Sequence, residues 1–411
     1  MLKPELPRSD RVEVAERVRR ILRSPGSETF RGRVPMVTDF EVLRAMVEAT
    51  LEKPNFGRVT SLVGIASLWA PFQTLTRLSL SLDDRVHPQY REAKLEAPIF
   101  IIANPRSGTT LLHRLMSEDE ENFASFTLGE TIFPSVTVQK LFERIGELDQ
   151  EKLGGRLLKA VKAFDAAVFG SRWEGVHRLG LFETEEDETF FTYSLQSPTV
   201  MLLSPFPAAF ASLVNLDKQP RETRDRMMDY YEGLLRRLMY RKGEQKRYLD
   251  KNVFHTTRIR TISERFPDAR FVYLVRHPYE ALPSFLNMFY AAWRTHSRDI
   301  PRDSKEMREL LGLGLDNYRY ALGLSRFMPK DRYTVLRYED LVADPKGFVE
   351  SLYKWLDMEM SPAFRERLEQ ATSAQRTYER PYDHKLSDYG ISEEAIAEEL
   401  AEVFQAFNYK P

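Results

Sequence analysis

Three short runs of this 411-residue chain carry residues suited to chemistry. The first, Asn104-Pro-Arg-Ser-Gly-Thr-Thr110, follows the apolar run Ile99–Ile102, the pattern of a parallel strand covered on both faces. Pro105 fixes one dihedral, Gly108 permits close backbone approach, and a helix opening at Thr109 points its free N–H groups and positive dipole end into the loop. Such a loop is built to hold an oxyanion. In the second run Phe271–Val275 reads as another buried strand, with Arg276 at its carboxyl end, where ligands gather in open α/β sheets, and Ser284 eight residues on. A guanidinium grips a phosphate as a permanently charged fork, and a hydroxyl adds a neutral donor. The third run, Leu249-Asp-Lys-Asn-Val-Phe-His255, supplies a cation, Lys251, and a base, His255. A free imidazole titrates near 6.5 and takes a proton near neutrality, whereas a carboxylate near 4.3 needs raising by burial. His255 is therefore the first choice for general base. The rival is the acidic run Glu183-Thr-Glu-Glu-Asp-Glu188, in which Glu185 or Glu186 takes the proton or orients the acceptor. The plainer reading of that run is a helix start with solvated carboxylates that suit the dipole.

The ordinary nucleoside-triphosphate loop has the form G-x-x-x-x-G-K-[ST], and the aligned stretch Ala103–Thr110 lacks its first glycine and its lysine. Arg106 is the sole cation there, which argues against a standard ATPase or kinase. Asn104–Thr110 resembles the 5′-phosphosulfate loop of the sulfotransferase family, in particular its bacterial branch with Arg in place of the usual Lys. Arg276 and Ser284 fall on the two positions that hold the 3′-phosphate in that family, with the family spacing. Tyr333-Thr-Val-Leu-Arg-Tyr-Glu-Asp-Leu-Val-Ala-Asp-Pro345 resembles its late strand and Asp-Pro segment. Lys251 and His255 resemble the Lys and His of a bacterial Leu-Lys-Ser-Pro-x-His segment, with Asn252 and Val253 where Ser and Pro are usual. His177 to Glu188 resembles an acidic segment that follows a His in the same branch.

The resemblance spans Pro98 to about Asp357 and implies a P-loop-type α/β fold, a parallel sheet flanked by helices. It implies 3′-phosphoadenosine 5′-phosphosulfate (PAPS) as donor, no metal, and an acceptor hydroxyl, or less often an amine, on a small molecule, lipid or carbohydrate. Arg106, Ser107, Gly108, Thr109 and Thr110 would hold the 5′-phosphosulfate, and Arg276 and Ser284 the 3′-phosphate. Arg106 and Lys251 would stabilise the leaving phosphate, with His255, or Glu185 or Glu186, as base. By analogy with the family's C-terminal nucleotide loop, Arg376, Arg380 and His384 would close over the donor. Two alternatives stay open. One is a kinase with a modified loop, which leaves Arg276 and Ser284 no phosphate to hold; the other is a non-catalytic nucleotide-binding relative that has lost its base.

Bulk composition narrows the class. With 42% hydrophobic and 29% charged residues the chain is globular, not disordered. Sixty basic against 61 acidic residues give no global field for nucleic acid or anionic lipid, so any attraction is local. The absence of cysteine removes disulfides, thiolate nucleophiles and thiolate metal sites and suits a reducing interior. The N-terminus carries acid and prolines without an apolar core, which is not a secretory pattern, and the cytoplasm is the expected compartment. The most apolar stretch, Leu62–Phe72, is about half the ~20 residues of a spanning helix, so no transmembrane segment is expected, while peripheral membrane contact stays open.

The elements that must position the three runs divide into a helical extension, residues 1–95, and a catalytic domain, residues 96–411. Val14, Val18, Ile21 and Leu22 share one helix face, and Asp39 is placed to cap a helix over Phe40–Leu51. Leu62–Leu82 is apolar at helical spacing and broken by Pro71; helices packed on the core are favoured over a lipid-facing surface. Helical periodicity covers Val138–Phe169 and Arg221–Arg241, a strand begins at Tyr248, and a helix ends near Arg265. A helix bearing Phe348, Leu352 and Trp355 follows Pro345. The segment from Arg376 to Gly390 reads as a surface loop before a helix capped by Ser392.

Overall fold

A computed structural model describes residues 39–169, 180–375 and 384–411. The Val14–Leu22 face, His177, Arg376 and Arg380 lie outside the described residues. Five strands, β1 Ile99–Ala103, β2 Phe123–Ala124, β3 Arg247–Lys251, β4 Arg270–Val275 and β5 Tyr333–Arg337, form one sheet in the order β2-β3-β1-β4-β5, every pairing parallel. Parallel strands need crossovers, and helices supply them on both faces. β1 is buried along its whole length. Phe100 and Ile102 pack on one face with Tyr230, Leu234 and Phe271, while Ile99, Ile101 and Ala103 pack on the other with Leu112, Leu115, Leu249 and Leu352. The register sets Ile101 opposite Lys251 and Ala103 opposite Leu274. The loop after β1 and the carboxyl ends of β3 and β4 therefore open on one edge.

The Asp39 carboxylate accepts the N–H groups of Glu41 and Val42 and starts the helix Phe40–Glu52. The expected break at Pro71 does not occur: Phe56–Val86 is a continuous 31-residue helix with Pro71 inside it. A mid-helix proline costs about 3 kcal/mol, and here tertiary anchors hold both sides of it. The Trp69 Nε1 and Gln73 Nε2 groups both donate to the Tyr193 carbonyl. Towards the helix end, buried Asp83 accepts from Ser135 Oγ and Val136 N at 2.8 Å and from Arg237 Nε at 3.0 Å. The expected packing on the core accounts for one side of this helix; Leu68, Leu75 and Leu78 on its other side are exposed.

The segment Val138–Phe169 resolves into two helices, Val136–Leu153 and Arg156–Phe169, separated by Gly154 and Gly155 at φ 62° and 75°, a left-handed backbone that side chains resist. The helices Thr109–Ser117, Arg221–Lys242, Ile259–Arg265 and Pro345–Trp355 agree with the sequence expectations, and the Ser392 hydroxyl accepts from Ala395 N to cap Glu393–Glu399.

Candidate active site

The first two runs meet at Arg106. Its Nε donates to Ser284 Oγ at 3.1 Å, and Arg276 Nη1 donates to the Arg106 carbonyl at 3.0 Å, although 178 and 170 residues separate the partners. Arg106 itself has φ 73°, a left-handed conformation that a non-glycine residue holds only where its surroundings enforce it. Gly108 has φ 82° and lies so close to the Tyr338 ring that a Cβ would collide with it. The Arg276 guanidinium lies 4.5 Å from the centre of that same ring, and its Nε donates to Glu280 at 2.9 Å. Tyr318 fixes the backbone by donating to the Arg276 carbonyl at 2.7 Å. Ser107 Oγ is buried and has no hydrogen-bond partner among the described residues. An orphaned hydroxyl beside a helix N-terminus fits an incoming oxyanion.

Lys251 ends β3 one strand over. Its ammonium is buried, donates to Thr110 Oγ1 at 3.1 Å, pairs with Glu186 and lies 4.0 Å from Glu185 Oε1. The two glutamates arrive on an extended segment: Glu185 N donates to the Phe126 carbonyl at 3.0 Å and Thr184 bridges Thr127. Glu185 is buried, whereas the Glu186 side chain is 26% exposed. Arg106, Thr110, Lys251, Glu186, Arg276 and Ser284 thus line one edge of the sheet.

The acidic run does not have the solvated character of the plainer reading, because its second half turns inward. Asp187 is fully buried and accepts from Tyr231, from Tyr248 at 3.0 Å and from Asn252 Nδ2 at 2.7 Å. Buried Glu188 pairs with Arg258, whose Nη2 donates at 2.8 Å, and accepts from Asn252 at 2.7 Å. His255 belongs to this interior. It is wholly enclosed, with Nε2 3.4 Å from Asp187 and 3.9 Å from Asp250, and the rings of Phe100, Phe191 and Tyr231 pack around it. Burial pushes the Asp187 carboxyl up, but His255, Tyr231 and Asn252 together hold it down to about 2. Burial and then the Asp187 charge drive Asp250 well above its usual range. The pair is accommodated as one anion and one neutral acid. Asp187, Asp250 and His255 also bring donor atoms within 4.8 Å of one another, close enough for a cation; three hydrogen bonds already engage Asp187.

The match to known proteins decides the class of chemistry. Residues 98–362 fit the sulfotransferase family model, and that span contains the Asn104–Thr110 loop, Lys251, Arg276 and Ser284. The chain belongs to the sulfotransferase family. It is 26% identical over 323 residues, 76% of either chain, to omega-hydroxy-beta-dihydromenaquinone-9 sulfotransferases of Mycobacterium bovis and Mycobacterium tuberculosis. The fold is similar to that of a Mycobacterium avium sulfotransferase, with a TM-score of 0.71, 18% identity and coverage of 100% and 99% of the two chains. A Mycobacterium tuberculosis sulfotransferase gives a TM-score of 0.64 at 18% identity, with 95% and 98% covered. The enzyme is a sulfotransferase, not a kinase with an altered loop.

Three further histidines of this sulfotransferase sit in three different elements. His113 lies on the helix behind the loop; burial and then the Lys251 charge pull its imidazole down to about 3. His277 faces the Lys410 carbonyl at 3.1 Å, and His384 is half-buried. Residues that sequence reading missed are Asp187, Asp250, Asn252, Tyr231, Tyr248 and Arg258. One trace of them was visible, the Asn252 that departs from the family's serine, since its amide joins Asp187 to Glu188. A small apolar cavity is lined by Met201, Phe254, Phe285, Phe289, Leu310 and Leu313, of which Phe254 and Phe285 are the sequence neighbours of His255 and Ser284.

Proposed function

We propose that this sulfotransferase takes its sulfuryl group from PAPS and passes it to a hydroxyl on an apolar small molecule or lipid. The observation that carries the donor assignment is the convergence of Arg106, Ser284 and Arg276 on one loop. One guanidinium and the helix N-terminus serve the 5′-phosphosulfate, and the second guanidinium with Ser284 serves a 3′-phosphate. The acceptor oxygen attacks sulfur in line and forms the new S–O bond. The old bond to the 5′-phosphate breaks, and its electron pair leaves with the phosphate, where Lys251, Arg106 and the loop N–H groups neutralise it. The acceptor proton passes to a carboxylate, Glu186 in the first place, with Glu185 beneath it. Donor oxygens beside Thr110 compete for the Lys251 ammonium and so release the Glu186 carboxylate to face the acceptor hydroxyl. The enclosure of His255 supports a positioning role, through Asp187, in preference to proton abstraction. No catalytic metal is required by this charge arrangement.

Similarity to enzymes named for a hydroxylated dihydromenaquinone supports a greasy acceptor. Within the same reading residues 96–411 form the catalytic unit with 1–95 as its helical extension, and the cysteine-free composition supports a cytoplasmic location. The test is calorimetry with adenosine 3′,5′-bisphosphate against ATP and magnesium, followed by mass spectrometry of long-chain alcohols incubated with PAPS and chelator. Bisphosphate binding and a sulfated product support the proposal. Preference for ATP, or strict dependence on metal, overturns it.

A further inference from the structure

We infer that the helical hairpin Val136–Leu153 and Arg156–Phe169 is a docking surface for an anionic lipid bilayer. The second helix of the hairpin packs chiefly on the first and leaves its own apolar face to solvent. Leu157, Val161, Phe164 and Val168 recur at spacings of four, three and four residues, which places them on one stripe. Phe164 is 61% exposed, and Leu157, Leu158 and Val168 are exposed beside it, an arrangement that a helix made for a water interface does not have. Leu141, Phe142 and Ile145 extend the exposed apolar character onto the first helix. The fold invests in this geometry: buried Asp149 accepts from Leu157 N at 2.9 Å and Leu158 N at 3.0 Å, capping the second helix where the two glycines end the first.

Charge selects the occupant. Arg156, Lys159 and Lys162 lie on the face opposite the stripe, and all three are exposed. The hairpin's acids are largely committed elsewhere: Glu143 to Arg241, Glu147 to Arg144, Asp149 to the cap and Asp165 to Leu181 N at 2.8 Å. A short helix with an apolar stripe and a basic polar face lies in a membrane interface with its lysines reaching to the headgroups. No helix among the described residues is long and apolar enough to cross a bilayer, so the surface lies on the membrane. The position suits the proposed chemistry, because Asp165 ties the hairpin to the segment that delivers Glu185 and Glu186. A lipid-soluble acceptor would be met at the surface where it resides.

The inference extends the apolar-acceptor reading but is tested without donor or acceptor, so its failure leaves sulfuryl transfer standing. The full chain is sedimented with vesicles of phosphatidylcholine, with and without phosphatidylglycerol, and its mass in solution is measured by light scattering. The expected result is partition onto the phosphatidylglycerol vesicles. Leu157→Asp together with Phe164→Asp lowers it roughly tenfold or more, the effect of returning two large side chains to water. Lys159→Glu with Lys162→Glu lowers it about fivefold per cation, and added salt masks that difference. Circular dichroism and the rate on a water-soluble alcohol stay unchanged in both variants. Wild-type protein left in the supernatant overturns the inference, as does equal partition of the apolar variant. A dimer that Leu157→Asp and Phe164→Asp dissociate assigns the surface to a second copy instead.

Discussion

Replacing Arg276 with alanine tests the proposed recognition of a 3′-phosphate on the donor. The guanidinium makes two kinds of contact, and they predict different losses. Its Nη1 bond to the Arg106 carbonyl steadies the loop, so its removal weakens every 5′-anchored ligand to some extent. The Nε and Nη2 edge of the fork, which Glu280 accepts from and which has Ser284 Oγ close by through Arg106, is what a 3′-phosphate would meet. A charge-assisted hydrogen bond contributes about 1.5–3 kcal/mol, so Arg276→Ala should cost adenosine 3′,5′-bisphosphate at least 1.5 kcal/mol more than adenosine 5′-phosphate. In dissociation constants the gap is roughly tenfold or greater. Arg276→Lys keeps charge but loses the fork and the stacking on Tyr338, so it should fall between. Glu280 accepts from Arg276 Nε at 2.9 Å and competes with the phosphate for the same donors; this makes the estimate a lower bound for the intrinsic contact. Calorimetry on both ligands gives the two losses side by side. If Arg276→Ala weakens them by the same factor, the residue steadies the loop alone and the 3′ assignment fails.

Three further outcomes follow from the geometry. Glu186→Gln should slow transfer by roughly 10²–10⁴-fold with donor affinity within a few-fold, while His255→Asn should cost far less at the chemical step; single-turnover rates of the two variants settle which group takes the proton, and the reverse order returns the role to His255. Asp83→Ala leaves the buried Arg237 guanidinium with the partly exposed Asp84 as its carboxylate partner, beside the Leu80 and Gly233 carbonyls, and should destabilise the fold by about 3 kcal/mol or more in urea unfolding; a loss under 1 kcal/mol would show that Asp83 does not hold the long helix to the core. Asp250→Asn should stabilise the protein increasingly from pH 4 to pH 8. Burial raises the Asp250 pKa above its ordinary 3.8, so its contribution is fully present below 3.8 and is lost as pH rises through the folded value. His113 works in the opposite direction, with stability present above 6.5 and lost as pH falls towards about 3. Melting temperatures across that range separate the two, and a constant difference between Asp250→Asn and wild type would refute the raised pKa.

The sheet and the phosphate loop were legible because each is a local pattern. β1 and the Phe271–Val275 part of β4 are buried on both faces, so their sequences are uninterrupted apolar runs, and the loop's glycine and arginine sit within seven residues. β2 has two residues and no period to read. Pro71 misled because local propensity was overruled by the tethers from Trp69 and Gln73 to a carbonyl over 100 residues away. The polar network was illegible for the same reason. Tyr231, Tyr248 and Asn252 reach Asp187 across 44, 61 and 65 residues, and nothing in the local spacing of a buried aspartate separates it from a solvated one.

That network explains why four consecutive acids can serve one site. Four carboxylates on a solvated turn would repel each other and wander with the turn. Here Asp187 and Glu188 are fixed by Tyr231, Tyr248, Asn252 and Arg258, so the preceding residues have a rigid footing. The backbone bond from Glu185 N to Phe126 holds the other end of the segment. Between those two anchors only Glu186 keeps an exposed carboxylate, and it is delivered to Lys251 at the mouth of the loop. The cost of burying Asp187 as an anion is offset by its donors, and the cost of burying its neighbour is reduced because Asp250 stays protonated. The interior charge is therefore a scaffold for the exterior one: the buried half of the run sets the position from which the exposed half can act.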